Sequence, residues 1–148
     1  GSKWYHTFQN YQNHNSLMAS IFTKIISGEI SSFKVAENEN FLAFLDISPI
    51  AKGHVLVIPK METDYLFDIS KDEYLELWKF AQQVAKAMDK VLDCNRIGVA
   101  VIGLEVPHAH IHLVPLNNLS DINFERPKLS FSEEEMNTVA QMIRNVLP

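Results

Sequence analysis

Three of the chain's six histidines stand at alternate positions in one short apolar run, "PHAHIHLVP", residues 107 to 115. In an extended strand successive side chains point to opposite faces. His108, His110, His112 and Val114 therefore share one face, and Ala109, Ile111 and Leu113 share the other. The apolar set belongs in a core, so the row of imidazoles lines a surface or a cleft.

Three kinds of chemistry suit such a row. The first is metal binding. A strand rises about 3.3 Å per residue, which puts His108 and His112 roughly 13 Å apart. With zinc–nitrogen bonds of about 2 Å, no single ion takes both outer rings without a sharp bend. Two neighbouring rings sharing an ion would need ligands from elsewhere, and Cys94 is the only thiol. The second is structural, with each ring a hydrogen-bonded core residue; three buried imidazoles would then each need polar partners. The third is catalysis on phosphorus. A neutral imidazole attacks through one ring nitrogen while the other donates a hydrogen bond. Flanking rings about 7 Å away contact substrate or fix a tautomer.

The elements that must position this run are legible in outline. "SIFTKIISGEI" reads as a short helix, with Ser20 as its cap and Gly28 at the left-handed position after it. "FKVAENENFLAFLDI" reads as two strands joined by a turn at Asn38-Glu39-Asn40. "GHVLVIP", residues 53–59, is a third strand. Residues 71–93 form the clearest helix: Ser70 and Glu73 make a capping-box pair. Tyr74, Trp78, Ala81, Ala85, Met88 and Leu92 make an apolar stripe, opposite a solvated face of Lys79, Gln83, Lys86 and Lys90. "RIGVAVIG" and "HAHIHLVP" are strands four and five. After a polar loop at 116–131, Ser132 and Glu135 cap a last helix whose stripe is Met136, Val139, Ala140, Ile143, Val146 and Leu147. Strands before and after one helix, with short connections, predict an α+β fold with a mostly antiparallel sheet.

The 148 residues suit one domain able to bury about 70% of its unfolded surface. The expected domain spans 18–148. Residues 1–17 are rich in Asn, Gln and aromatics and read as an expression-tag remnant or a disordered extension, with Met18 as the expected natural start. A docked extension held by Trp4, Tyr5 and Phe8 is the alternative. A hydrophobic fraction of 47% and a charged fraction of 21% are those of an ordinary globular protein. The formal charge of −5 disfavours nucleic acid as a partner, and an anionic substrate would have to be held by local groups. No run approaches a membrane span, no signal is visible and one cysteine forbids an internal disulfide. A cytoplasmic location is therefore expected, with no membrane partner.

"HAHIHLV" fits the histidine-triad (HIT) pattern, and two further stretches agree in order. "IFTKIISGEI" resembles that family's opening helix, and "FLAFLDISPIAKGHVLVIPK" (41–60) resembles its central block. The resemblance covers residues 20–116 and is nearest the Hint-like nucleoside phosphoramidate hydrolases. It implies a five-stranded antiparallel sheet with helices against it, a homodimer, and a purine nucleotide or nucleotide conjugate as ligand. It also implies that His110 is the nucleophile that becomes nucleotidylated. His112 would contact the phosphate or the leaving group, and His108 would support the site, with His54 nearby. Asp46 would take the ribose hydroxyls, accepting two hydrogen bonds at once; an Asx turn before Ser48-Pro49 is the plainer reading of that residue. Ile21 and Phe22 would line the base pocket, although core packing explains them equally.

The chain departs from the family pattern in two places. Many bacterial relatives carry Cys-x-x-Cys in the opening helix, which binds zinc together with two histidines. Here Ser20 and Thr23 stand there, and hydroxyls are poor zinc ligands. No structural zinc, and no other metal or cofactor, is expected, even though His54 and His108 remain. Ahead of the triad, Ala100, Leu104 and Glu105 replace residues that hydrogen-bond on the phosphate side, and Pro107 removes a backbone donor. Glu105 would repel a phosphate or act as a proton donor, and backbone amides near Val106 are candidates to contact a phosphate oxygen. The leading expectation is an enzyme that cleaves at the α-phosphate of purine nucleotide conjugates. Hydrolysis of diadenosine polyphosphates is one alternative. A nucleotide-binding or scaffold protein with weak catalysis is the other.

Overall fold

The structure, a computed structural model, describes residues 19–148. The expectations for residues 1–17 lie outside the described residues. Helix α1 (Ile21–Ser27) leads into strands β1 (Lys34–Glu37), β2 (Phe41–Leu45) and β3 (Val55–Pro59). Helix α2 (Lys71–Val91) follows, then β4 (Arg96–Ala100), β5 (Ile111–Leu116) and helix α3 (Glu133–Asn145). The strands form one antiparallel sheet, as the alternation of elements predicts, in the order β1-β2-β3-β5-β4. No helix among the described residues is long and apolar enough to cross a membrane.

Local chemistry explains most of these boundaries. Ser20 caps α1 by accepting from the Thr23 N–H at 3.1 Å, and Gly28 ends it at φ +86°, where a Cβ would be strained. The Asn38 side chain accepts from the Asn40 and Phe41 amides and so closes the β1–β2 turn. Ser132 and Glu135 cap α3 reciprocally. Ser70 differs from expectation. It occupies the N-cap position of α2, but its exposed hydroxyl makes no bond to the first turn, since water competes for an exposed hydroxyl.

The sheet carries a core on each face. Ala43, Leu45, Val55, Val57, Ile111 and Leu113 pack against α2 and α3. Leu42, Phe44, Leu56 and Ile58 pack against Ile21, Phe22 and Ile25 of α1 and against Val106. A seven-residue helix is unstable alone. Burial of those three α1 side chains, worth about 1.5–3 kcal/mol each, holds it on the sheet.

The α2 stripe is rotated from its expected phase. Leu77, Phe80, Ala81, Val84, Ala87 and Met88 are buried, whereas Tyr74, Trp78, Ala85 and Leu92 lie at the flank, half-buried. The helix carries two overlapping apolar rows, and contact with α3 as well as the sheet selects the row between them. Lys79, Gln83, Lys86 and Lys90 face solvent as expected. Strand β5 also starts later than its residue types suggest. His108 N–H turns back to the Val106 carbonyl (2.8 Å) and Ala109 N–H goes to Thr63 O (2.7 Å). His108 to His110 thus lie just before the ladder, which opens at Ala100 opposite His112. β4 ends at Ala100, and 101–107 leave the sheet as a loop.

Candidate active site

The three triad histidines are buried, with 0%, 7% and 7% of the surface of His108, His110 and His112 exposed. They share the sheet face that carries α1, because His112 lies directly opposite Leu56 of β3. Ala109, Ile111 and Leu113 fill the other core, so the period-two argument holds even where the ladder is broken. A pocket opens over His110 and His112. Its wall includes Phe22, Asp46, His54, Glu105, Val106 and a segment from Phe124 to Ser130.

The partners of each ring settle which nitrogen carries its proton, because a carbonyl oxygen only accepts and a backbone amide only donates. The His110 Nδ1–H donates to the His108 carbonyl at 2.7 Å. Its Nε2 is therefore a bare lone pair on a ring that lines the pocket. The Ile50 N–H donates to His54 Nδ1 at 3.2 Å. The His54 proton is thereby on Nε2, which donates to His112 Nδ1 at 2.9 Å, and His112 in turn carries its own proton on Nε2. The His108 Nε2–H donates to the Pro59 carbonyl at 2.8 Å, and its Nδ1 accepts the Ser20 hydroxyl at 2.7 Å. One ring thus offers a lone pair and its neighbour an N–H, with ring centroids 4.9 Å apart.

Burial keeps these rings neutral. Desolvation lowers the pKa of His54 to about 3 and that of His112 to about 2. Desolvation also lowers His110 and His108, opposed for His110 by its hydrogen bond to the His108 carbonyl and for His108 by its bond to the Pro59 carbonyl. Burial pushes the Asp46 carboxyl up, opposed by the Ser48 amide. Asp46 Oδ1 accepts that Ser48 N–H at 2.9 Å, so the Asx turn is real. Its Oδ2 stands 3.9 Å from His54 Nε2. The turn places the carboxylate in the wall of the pocket.

Residues 27–119 match the HIT domain, more than half of the chain. The chain belongs to the HIT family. Among its relatives, the adenosine 5'-monophosphoramidase of Saccharomyces cerevisiae is 43% identical over 101 residues, covering 66% of this chain. The matched region spans only 62% of that yeast protein's own length. The adenosine 5'-monophosphoramidase of Schizosaccharomyces pombe is 33% identical over 131 residues, covering 85% of this chain and 96% of that one. A Hit-like protein from Bartonella henselae superposes with a TM-score of 0.75 at 32% identity, over 86% of this chain and 96% of that chain. A Zn-bound histidine triad family protein from Mycobacterium smegmatis gives 0.73 at 29% identity, over 86% and 92%.

In this HIT protein the residues at the mouth of α1 do not suit a zinc ion. Ser20 Oγ both caps the helix and donates to His108, while the Glu62 carboxylate accepts the Ser20 N–H at 2.6 Å and the Thr23 hydroxyl at 2.8 Å. These donors and acceptors satisfy one another and leave no set of soft ligands. His54 is not part of this cluster, contrary to the grouping of His54 with His108; Glu62 stands there instead. A second group of potential ligands, Asp46, His54 and His112, has its atoms within 4.8 Å of one another. There the Ile50 amide keeps the His54 proton on Nε2, between the two rings, so a hydrogen-bonded relay fills the place an ion would take.

Phe22 lines the pocket, with its ring edge-on to His110 at 5.1 Å. Ile21 does not: it is wholly buried among α1-side core residues, because its side chain turns toward the sheet. His108 is likewise sealed beneath the site, not on its wall. Glu105 is exposed at the rim and Val106 is buried beside it. The sequence reading missed Glu62 and the whole 124–130 wall. Phe124 packs against His112 at 4.6 Å and His54 at 6.0 Å between centroids. Its only local signal is an aromatic in a polar loop, one that Phe131 shares.

Proposed function

We propose that this HIT protein hydrolyses nucleoside phosphoramidates of the adenosine 5'-monophosphoramidate type, through a nucleotidyl-histidine intermediate on His110. The observation that carries the reading is the pairing of a bare Nε2 on His110 with an N–H on His112. In the proposed course, the His110 Nε2 lone pair forms a bond to the α-phosphorus. The phosphorus–nitrogen bond of the substrate breaks, and its electron pair leaves with the amine, which takes a proton from water at the pocket mouth. The His110 Nδ1–H, held by the His108 carbonyl, spreads the positive charge that the ring acquires. The His112 Nε2–H donates to a phosphate oxygen. Water then attacks the phosphorus, the bond to His110 breaks, and the nucleoside monophosphate and a proton are released. Burial that keeps both rings neutral serves this course, since a protonated His110 has no lone pair to offer.

The partner read for this site is a purine nucleotide conjugate, with Asp46 Oδ2 accepting from the ribose and Phe22 against the base. The names of the two yeast relatives favour an amine leaving group over a second nucleotide. No metal or other cofactor enters this course. A homodimer is supported by the outer edge of β4, where Val99 is exposed, and by the loop that follows it, where Val101, Ile102 and Leu104 are exposed. One domain over 18–148 in the cytoplasm fits the same reading. The test is to offer adenosine 5'-monophosphoramidate to the protein and to His110→Ala, and to trap the acid-labile adduct. Turnover with an adenylyl group located on His110 by mass spectrometry is expected, with at least about 10³-fold loss in the variant. Equal turnover by His110→Ala, or an adduct elsewhere, refutes it.

A further inference from the structure

A phosphoryl group delivered to His110 enters a site with the wrong charge. Three acids, Asp46, Glu105 and Glu125, line the pocket, and the chain as a whole carries −5. Lys128 is the one cation on that wall among the described residues. It lies on the polar loop between β5 and α3. That segment is tied down at both ends of the stretch that matters. The Leu129 N–H donates to the Pro49 carbonyl at 2.8 Å, which anchors it to the turn that carries Asp46. Phe124 packs on His112. Lys128 Nζ donates one proton to the Phe124 carbonyl at 2.8 Å and stands 5.7 Å from the centre of the Phe124 ring. It makes no ion pair with any described carboxylate, and its charge is felt at Asp46, His54 and His112.

We infer that Lys128 is the phosphate-binding cation of this site: the 124–130 strap brings an ammonium to the pocket that His112 also lines, and the two together hold the α-phosphate oxygens. The inference rests on the nucleotide reading above and adds to it the residue that selects a charged over an uncharged nucleoside. The ammonium is exposed, so little desolvation opposes its turning to a ligand. The Phe124 carbonyl limits where it can go. Two unspent protons and a full charge suit a phosphate, whereas the Glu105 and Glu125 carboxylates repel one.

The test is titration calorimetry with AMP and with adenosine, on the wild type and on Lys128→Ala, Lys128→Glu and Lys128→Arg. Lys128→Ala should weaken AMP about fivefold and Lys128→Glu about twentyfold or more, with Lys128→Arg within about threefold of wild type. Adenosine affinity should stay within about twofold throughout, which also shows that each variant keeps a folded pocket. The AMP loss should shrink in high salt. Equal losses for AMP and adenosine, or an AMP affinity unmoved by Lys128→Glu, overturn the role of Lys128 alone. A wild-type protein that binds neither ligand overturns the nucleotide reading, and this inference with it.

Discussion

Buried neutral histidines make the folded state acid-sensitive, and the size of the effect follows from the site itself. Below pH 6.5 an imidazole in the unfolded chain takes a proton, but His54 and His112 in the fold do not until about pH 3 and about pH 2. The unfolded state therefore binds more protons across that interval. Stability is full above 6.5 and falls as the pH drops through it. Between pH 7.5 and 5.5 each fully neutral ring loses about 1.4 kcal/mol, roughly 2.5–3 kcal/mol for the pair. His108 and His110, also lowered by burial, act in the same direction. Asp46 acts against them: its folded pKa is raised, so the stability it contributes is present in acid and lost as the pH rises through that folded value. Glu37 and Glu62 are lowered and lose their contribution only below the ordinary carboxylate range, outside this window. Urea unfolding followed by circular dichroism at pH 7.5 and 5.5 reads the difference directly. His112→Gln, which removes one of these rings, should cut the pH dependence by about 1.4 kcal/mol. Equal stability at the two pH values, or full dependence retained in the variant, would refute the claim that these rings are held neutral by burial.

Two other predictions concern the frame of the site. Ser20→Ala removes the α1 cap and leaves His108 Nδ1 buried without a donor. It should cost about 2–4 kcal/mol in urea unfolding, with Ser20→Thr recovering most of it; a loss under about 0.5 kcal/mol would mean that the hydroxyl holds neither. At the β4 edge, light scattering should report a dimer, and Val99→Asp should shift it to the monomer mass. An unchanged mass in the variant would place any interface elsewhere.

Much of the site was legible without the fold. Alternation alone put the three imidazoles on one face, and the core did bury Ala109, Ile111 and Leu113 on the other. Helix caps at Ser20, Gly28 and Ser132, and the Asn38 turn, were readable because each is made within a few residues of chain. The phase of α2 was not, since either of its apolar rows satisfies a 3.6 period and only the packing of α3 chooses between them. Ile21 and Phe22 are adjacent and equally apolar, and nothing local says which of them reaches the pocket.

Residue types and spacing determined that imidazoles of this chain would stand together and that neutral rings could attack phosphorus. The His108 carbonyl, two residues away, fixes the bare nitrogen of His110, but only the tertiary structure decided it for His54, His108 and His112. That choice belongs to the Ile50 amide, the Pro59 carbonyl and the Ser20 hydroxyl, groups brought from 4 to 88 residues away. It also brought Phe124 and Lys128 to the same pocket. The physical reason is that strand periodicity specifies a direction, whereas a proton's position depends on the atom it meets, and for every ring but His110 that atom is supplied by a different part of the chain.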